Sequence, residues 1–262
     1  MNRLGKKPFV PDERDITFGM ILNAQPVELK TPPTRFGHGG DYPDWHMLGN
    51  GPDDSVEPGF QGCGDCVFAA AAHETMLVNK IARHPVTITG KEVVADYSQV
   101  TGYIIGDDNS DQGTEVRAAL KFRKNVGTLD SHGNRHKIGA YVSVKPKSWA
   151  ELMLVTFWFT AAELGFEFPD TAMQQFDDGK PWTVDPNGYI EGGHDVPIVG
   201  ASSATEAGAI TWAKRQGMTR PFYEMYNDET WAIVFPEELR DGKTERGLDL
   251  TALNAALQAL PR

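Results

Sequence analysis

The run Gln61-Gly62-Cys63-Gly64-Asp65-Cys66-Val67-Phe68-Ala69-Ala70-Ala71-Ala72-His73-Glu74-Thr75-Met76-Leu77 decides how the rest of this chain is read. From Cys66 onward it consists of good helix formers that are apolar on most faces, the pattern of a central helix covered by several neighbours. Gly64 or Asp65 then stands at the helix N-terminus and Cys66 in the first turn. A thiol becomes a strong nucleophile when ionised near neutral pH, and a helix N-terminus favours that anion. The glycines permit a tight turn. They also leave N–H groups near the sulfur, where a carbonyl oxygen undergoing attack gathers charge.

Beyond this helix, further helices are expected over residues 91–103, with Thr89 or Gly90 at the start, and over 114–125, closed by Gly127. Another is expected over 148–157, where Ser148 and Glu151 form a capping-box signature. The pattern then changes to alternating or β-branched segments at 138–144, 155–164, 194–200, 209–213 and 230–235. Helices first and strands after is an α+β order. The expected organisation is an extended N-terminal arm over residues 1–60, rich in Pro, Gly and Asp, followed by one domain over 61–262. Its helical part covers about 61–137, its β-rich part about 138–240, and an amphipathic C-terminal helix about 248–260.

A base has to reach the Cys66 sulfur from elsewhere in the fold. His194 stands in Glu191-Gly192-Gly193-His194-Asp195-Val196-Pro197-Ile198-Val199-Gly200, where two glycines open access to the ring and the following strand fixes it. Composition narrows the function classes. Acidic residues outnumber basic ones 36 to 25, for a formal charge of −11, and no concentrated Lys/Arg patch is present, which argues against a nucleic-acid surface. No apolar run is long enough to span a membrane, and no signal-peptide-like stretch follows Met1, so a soluble chain in the cytoplasm or a phage particle is expected. With only Cys63 and Cys66, a four-cysteine zinc site within this chain is excluded, and no cofactor or metal is expected.

Residues 62–69 resemble the nucleophile motif of papain-like cysteine peptidases, and residues 192–200 resemble the histidine strand of that family. The 128 positions from Cys66 to His194 fall close to the spacing between those motifs. Trp45-His46-Met47-Leu48-Gly49-Asn50, Gly64-Asp65-Cys66 and Ile210-Thr211-Trp212-Ala213 are more similar to a divergent branch found in bacterial and phage genomes. The resemblance implies a helical half packed against a β-rich half with a cleft between them, and peptide or protein substrates. It assigns Cys66 and His194 as the catalytic pair and an amide side chain to the oxyanion hole. Gln61, five residues before Cys66, is the first candidate for that amide and Asn50 the second.

The family asparagine that orients the histidine falls at or beside Ile210, which cannot accept a hydrogen bond, so the match fails there. Thr211 with a one-residue slip, a backbone carbonyl, Asp185, Asn187 and Asp195 are the remaining orienters, and Trp212 would shield the histidine from water. The Cys63–Cys66 pair admits two further readings, a disulfide that caps the nucleophile and a redox dithiol. His73 reads as packing, His132 and His136 as solvent-facing, and the acidic turn at residues 107–113 as a solvated loop without calcium spacing. Against the enzyme stands a non-catalytic structural or interaction protein on the same fold, for example a phage particle component. Its N-terminal arm would mediate a homo- or hetero-oligomeric assembly.

Overall fold

The computed structural model describes residues 2–24, 31–37 and 45–238. The C-terminal helix expected at residues 248–260 lies outside the described residues. Helices α1 (Phe18–Ala24), α2 (Cys66–Ile81), α3 (Gly90–Thr101), α4 (Val116–Asn125), α5 (Trp149–Trp158), α6 (Asp170–Asp177) and α7 (Arg220–Tyr226) surround an antiparallel sheet. Strands β1 (Phe36–Gly37), β4 (Ala140–Val144), β5 (Ala162–Pro169), β6 (Ile190–Ser203), β7 (Glu206–Thr211), β8 (Lys214–Thr219) and β9 (Asn227–Val234) make the sheet, in the order β4-β9-β5-β6-β7-β8 with β1 paired to β6. A two-stranded ribbon joins β2 (Thr128–Leu129) to β3 (Arg135–His136). This is an α+β fold with a mostly antiparallel sheet.

Strand β9 shows how one sheet serves two cores. Trp231 and Ile233 point to one face and pack with α2, α3 and α4, whereas Ala232 and Val234 point to the other and pack with α5 and α7. That alternation follows from the two-residue period of a strand. Helix α2 is buried along most of its length, and the small side chains Ala69 to Ala72 let its axis lie close to β6. Thr89 and Glu92 form a capping box at the start of α3, and Gly102 ends it at φ 79°. Ser148 accepts the Glu151 N–H at the start of α5.

Three expectations change. Residues 155–157, where the expected helix and the expected strand overlap, complete α5 with Trp158, since the Ser148 cap and an apolar helix surface prevail over the β propensity of Val155 and Thr156. Thr160, at φ 66°, then turns the chain and the strand begins at Ala162. Strand β7 ends at Thr211, because Trp212 and Ala213 both take positive φ and form the turn into β8. Within the expected arm, residues 45–60 form turns whose Trp45, Leu48 and Phe60 are buried, and residues 18–24 form α1, so only part of it is extended. Helices α6 and α7 and strand β8 had no expectation attached to them.

Candidate active site

The loop before α2 is held from two sides. The Cys63 N–H donates to the Gly49 carbonyl (3.0 Å), and the Gly64 N–H donates to the Asp111 carboxylate (2.8 Å to Oδ2), which also accepts from the Tyr97 hydroxyl. Gly62, at φ 96°, sits so close to Gly51 that a Cβ there would lie 2.6 Å from the Gly51 Cα. These contacts place Cys66 at the first position of α2 with 1% of its surface exposed. Asp111 was read from sequence as part of a solvated turn. Its anchoring of the loop before Cys66 comes from a long-range contact that no local spacing reveals.

His194 lies on β6, also 1% exposed. Its Nε2 is 2.8 Å from Thr211 Oγ1, and Trp212 stacks on its ring at 4.4 Å between centroids and 14° between planes. Thr211 is therefore the candidate orienter that reaches the imidazole. Asp185 is occupied with the backbone N–H and side chain of Asn187 in an exposed turn, and neither reaches the ring. Asp195, the next residue on the strand, sends its side chain to the opposite face of the sheet, toward Glu163.

The two amide candidates separate as clearly. Gln61 is exposed and donates to the Gly59 carbonyl (2.8 Å), away from the sulfur. Asn50 is buried, accepts the Trp212 indole N–H at Oδ1 (2.6 Å) and donates from Nδ2 to the Cys63 carbonyl (3.2 Å). It thus ties the Trp212 roof to the cysteine loop. Met47, Asn50, Cys66, His194, Thr211 and Trp212 line one narrow cavity. Cys63 and Cys66 are both free and buried, so the alternative of a disulfide between them is not what the structure contains.

Residues 3–7 of the arm run past this cavity, from Asn50 to Gly193 and Thr114. Arg3 N–H donates to the Asn50 carbonyl (3.1 Å), Gly5 and Lys6 N–H to the Gly193 carbonyl (3.2 and 3.0 Å), and Lys7 N–H to the Thr114 carbonyl (2.9 Å). Thr114 N–H returns a bond to the Gly5 carbonyl (2.8 Å). The strap therefore joins the helical side of the cleft to the β side, and the Gly5 and Asp195 N–H groups face the Cys66 sulfur. Residues 3–7 of the arm thus bind their own chain.

Burial controls the electrostatics. It pushes the Cys66 thiol up, and the Asp195 and Asp65 carboxyls add to the shift. It pushes His194 down to about 3. Under the strap the pair is thus a neutral thiol and a neutral imidazole, and His194 Nδ1 has no hydrogen-bond partner among the described residues. His73, also pushed down by burial to about 3, contacts the His46 carbonyl (3.1 Å). His136 pairs with Asp130 (3.0 Å).

No protein-family profile and no curated protein matches the sequence. Solved structures do. Xylellain, a cysteine protease from Xylella fastidiosa, aligns with a TM-score of 0.63 over 91% of this chain and 97% of its own at 14% identity. Procathepsin B S9 from Trypanosoma congolense aligns at 0.56 over 89% and 86%, with 12% identity. The Carica candamarcensis cysteine protease CMS1MS2 aligns at 0.53 over 78% and 99%, with 10% identity. The chain accordingly has the papain-like fold. No helix among the described residues is long and apolar enough to cross a membrane.

Proposed function

We propose that this chain is a cysteine hydrolase of peptide or related amide bonds, in which Cys66 is the nucleophile and His194 the proton carrier. The observation that carries the reading is one cavity lined by both residues, with His194 Nε2 engaged by Thr211 and Nδ1 left without a partner. With Nε2–H donated to Thr211, the Nδ1 lone pair is free to take the thiol proton. The Cys66 thiolate then attacks the carbonyl carbon, and the oxyanion is met by the Cys66 N–H, which as a first-turn amide has no intrahelical acceptor, and by the Asn50 amide. His194 protonates the departing amine and next activates water, which releases the acyl group.

The strap has to leave for any of this to proceed. Once water enters, the burial that holds both groups neutral is relieved, and the helix N-terminus favours the thiolate. In a chain whose strap is loosened by Lys6→Ala, a small alkylating reagent should modify Cys66 with an inflection well below pH 8. Adding His194→Ala should move that inflection up, and Cys66→Ala should abolish amide hydrolysis. A non-catalytic interaction protein on the same fold predicts a Cys66 that stays inert between pH 4 and 9 even in the loosened chain, and that result would sink the enzyme reading.

A further inference from the structure

The side chain of Lys6 leaves the strap beside Cys66 and runs down into the sheet, where it is 1% exposed. Its ammonium lies 2.7 Å from Asp228 Oδ2 and 3.1 Å from Glu229 Oε1, and donates to the Lys7 carbonyl at 3.0 Å. The receptor is built in advance. Trp231 Nε1–H donates to Glu229 Oε2 (2.8 Å), and Asn227 Nδ2 donates to both the Glu229 and Gly165 carbonyls (2.7 and 2.8 Å).

The channel to these carboxylates is open because Gly165 lacks a side chain along it, and Gly193 leaves room for the strap backbone at its mouth. A Cβ on Gly165 would lie 2.1 Å from Lys6 Cε and 2.8 Å from Cδ, and a Cβ on Gly193 would lie 2.3 Å from the Lys6 carbonyl oxygen. An unbranched aliphatic stem fits this bore. The buried end suits a compact cation that brings three donors and can satisfy two carboxylates at once. Asp228 Oδ1 is buried and has no hydrogen-bond partner among the described residues, so the pocket holds acceptor capacity beyond what Lys6 uses.

The neighbouring residue is constrained as well. A Cβ on Gly5 would lie 1.8 Å from the Gly64 carbonyl oxygen, in the turn that carries the nucleophile. A chain that threads this part of the cleft in the same path meets room only for glycine beside the sulfur and, next to it, a channel that ends at two carboxylates.

A buried ion pair is a poor way merely to fasten a strap. Desolvating the charges offsets most of their attraction, and an apolar side chain in an apolar hole would anchor as firmly. Selecting one charge type over others is what such a pocket does well, because a wrong side chain leaves buried carboxylates unmatched.

We propose that the channel ending at Asp228 and Glu229 is the specificity pocket of this cleft, that it takes the lysine side chain of a peptide with glycine next to it, and that Lys6 fills it in the closed chain. This assignment rests on the hydrolase reading for its link to cleavage but stands on its own as a binding site.

The test uses the full chain carrying Lys6→Ala, with Lys6→Met as a second variant that keeps the stem length and removes the charge. The probes are end-blocked hexapeptides Arg-Leu-Gly-Lys-Lys-Pro and versions with Leu, Glu or Arg in place of the first lysine, titrated by calorimetry. The lysine peptide should bind at least tenfold more tightly than the Leu and Glu versions and more tightly than the Arg version. Adding Glu229→Gln should reduce that preference to within about threefold. Equal affinities across the set, or no binding by any peptide to variants in which Cys66 has become open to alkylation, overturn the pocket. Cleavage assays on the same peptides separate the two ideas. Binding selective for lysine without cleavage removes the hydrolase reading and leaves the pocket, whereas cleavage indifferent to lysine removes the pocket and leaves the hydrolase.

Discussion

Thr211 replaces the amide that the resemblance led one to expect beside the His194 imidazole, and a hydroxyl is a more permissive partner. It either accepts from Nε2–H or donates to Nε2, and only the first tautomer leaves Nδ1 able to take a proton from sulfur. A single neutral hydrogen bond contributes about 1 kcal/mol, so Thr211→Val should lower kcat/KM by roughly five- to tenfold with little change in fold. Thr211→Ser should recover most of that loss, which a purely steric role for the methyl group would not permit; steady-state kinetics on the strap-loosened chain is the measurement. At this scale the sequence was informative about chemistry and weak about partners. Cys66 and His194 stand in local motifs that single them out in the sequence. Thr211 was one of several orienters, and Gln61 outranked Asn50 because separation along the chain says nothing about which amide turns inward.

Among elements, the hairpin between β7 and β8 and the strap do most to shape the cleft. Trp212 and Ala213 hold φ values of 44° and 60°, a turn that usually calls for glycine or asparagine. The cost is accepted because the tight turn sets Thr211 under the imidazole and Trp212 over it. The strap is the opposite kind of element, with backbone bonds on both sides of the cleft and one deep side-chain anchor. Removing that anchor with Lys6→Ala should raise the rate of Cys66 alkylation at pH 7 by tenfold or more over the unaltered chain, read by intact-protein mass spectrometry over time. Helices with caps, such as α3 and α5, were placed from sequence to within a few residues. Strand β8, with Lys214, Arg215 and Gln216 in it, and the short α6 and α7 carry no strong periodicity, and their existence depends on what the sheet lays against them.

Across the whole molecule, the two cores meet at a buried ionic cluster. Arg123 on α4, with none of its side chain exposed, reaches Glu74 on α2 (2.8 Å) and Glu163 on β5 (2.6 Å), and Asp195 lies against Glu163. Burial pushes the carboxyls of Glu163, Glu74 and Asp195 up, against the pull of the one guanidinium on Glu163 and Glu74. Taking the cation away leaves buried carboxyls without a partner, and Arg123→Met should destabilise the fold by about 3–5 kcal/mol in urea denaturation. Nothing local marks Arg123 as buried, since it stands among the basic residues Lys121 and Lys124.

The pH dependence of stability is also set at this scale. His73 and His194 are held near 3 in the fold but titrate near 6.5 when unfolded. As pH falls through 6.5 toward 3, the unfolded chain binds protons that the folded chain refuses, and stability drops. Each histidine contributes a slope of up to about 1.4 kcal/mol per pH unit in that window. The raised carboxyls act in the other sense, favouring the fold at acid pH and losing that contribution as pH rises through their folded values. Comparing the parent with His73→Gln isolates one histidine: between pH 6 and 4 the slope of unfolding free energy should flatten by about 1 kcal/mol per unit.

The occupant of the cleft is covalently part of the molecule that it closes. A tethered segment meets its site at an effective concentration in the millimolar range, whatever the dilution of the protein, so a free peptide has to compete against that standing excess. One cut in the exposed stretch around Val10 would change the order of the reaction. The severed fragment would then leave by mass action, and the more dilute the solution, the more completely it would stay away.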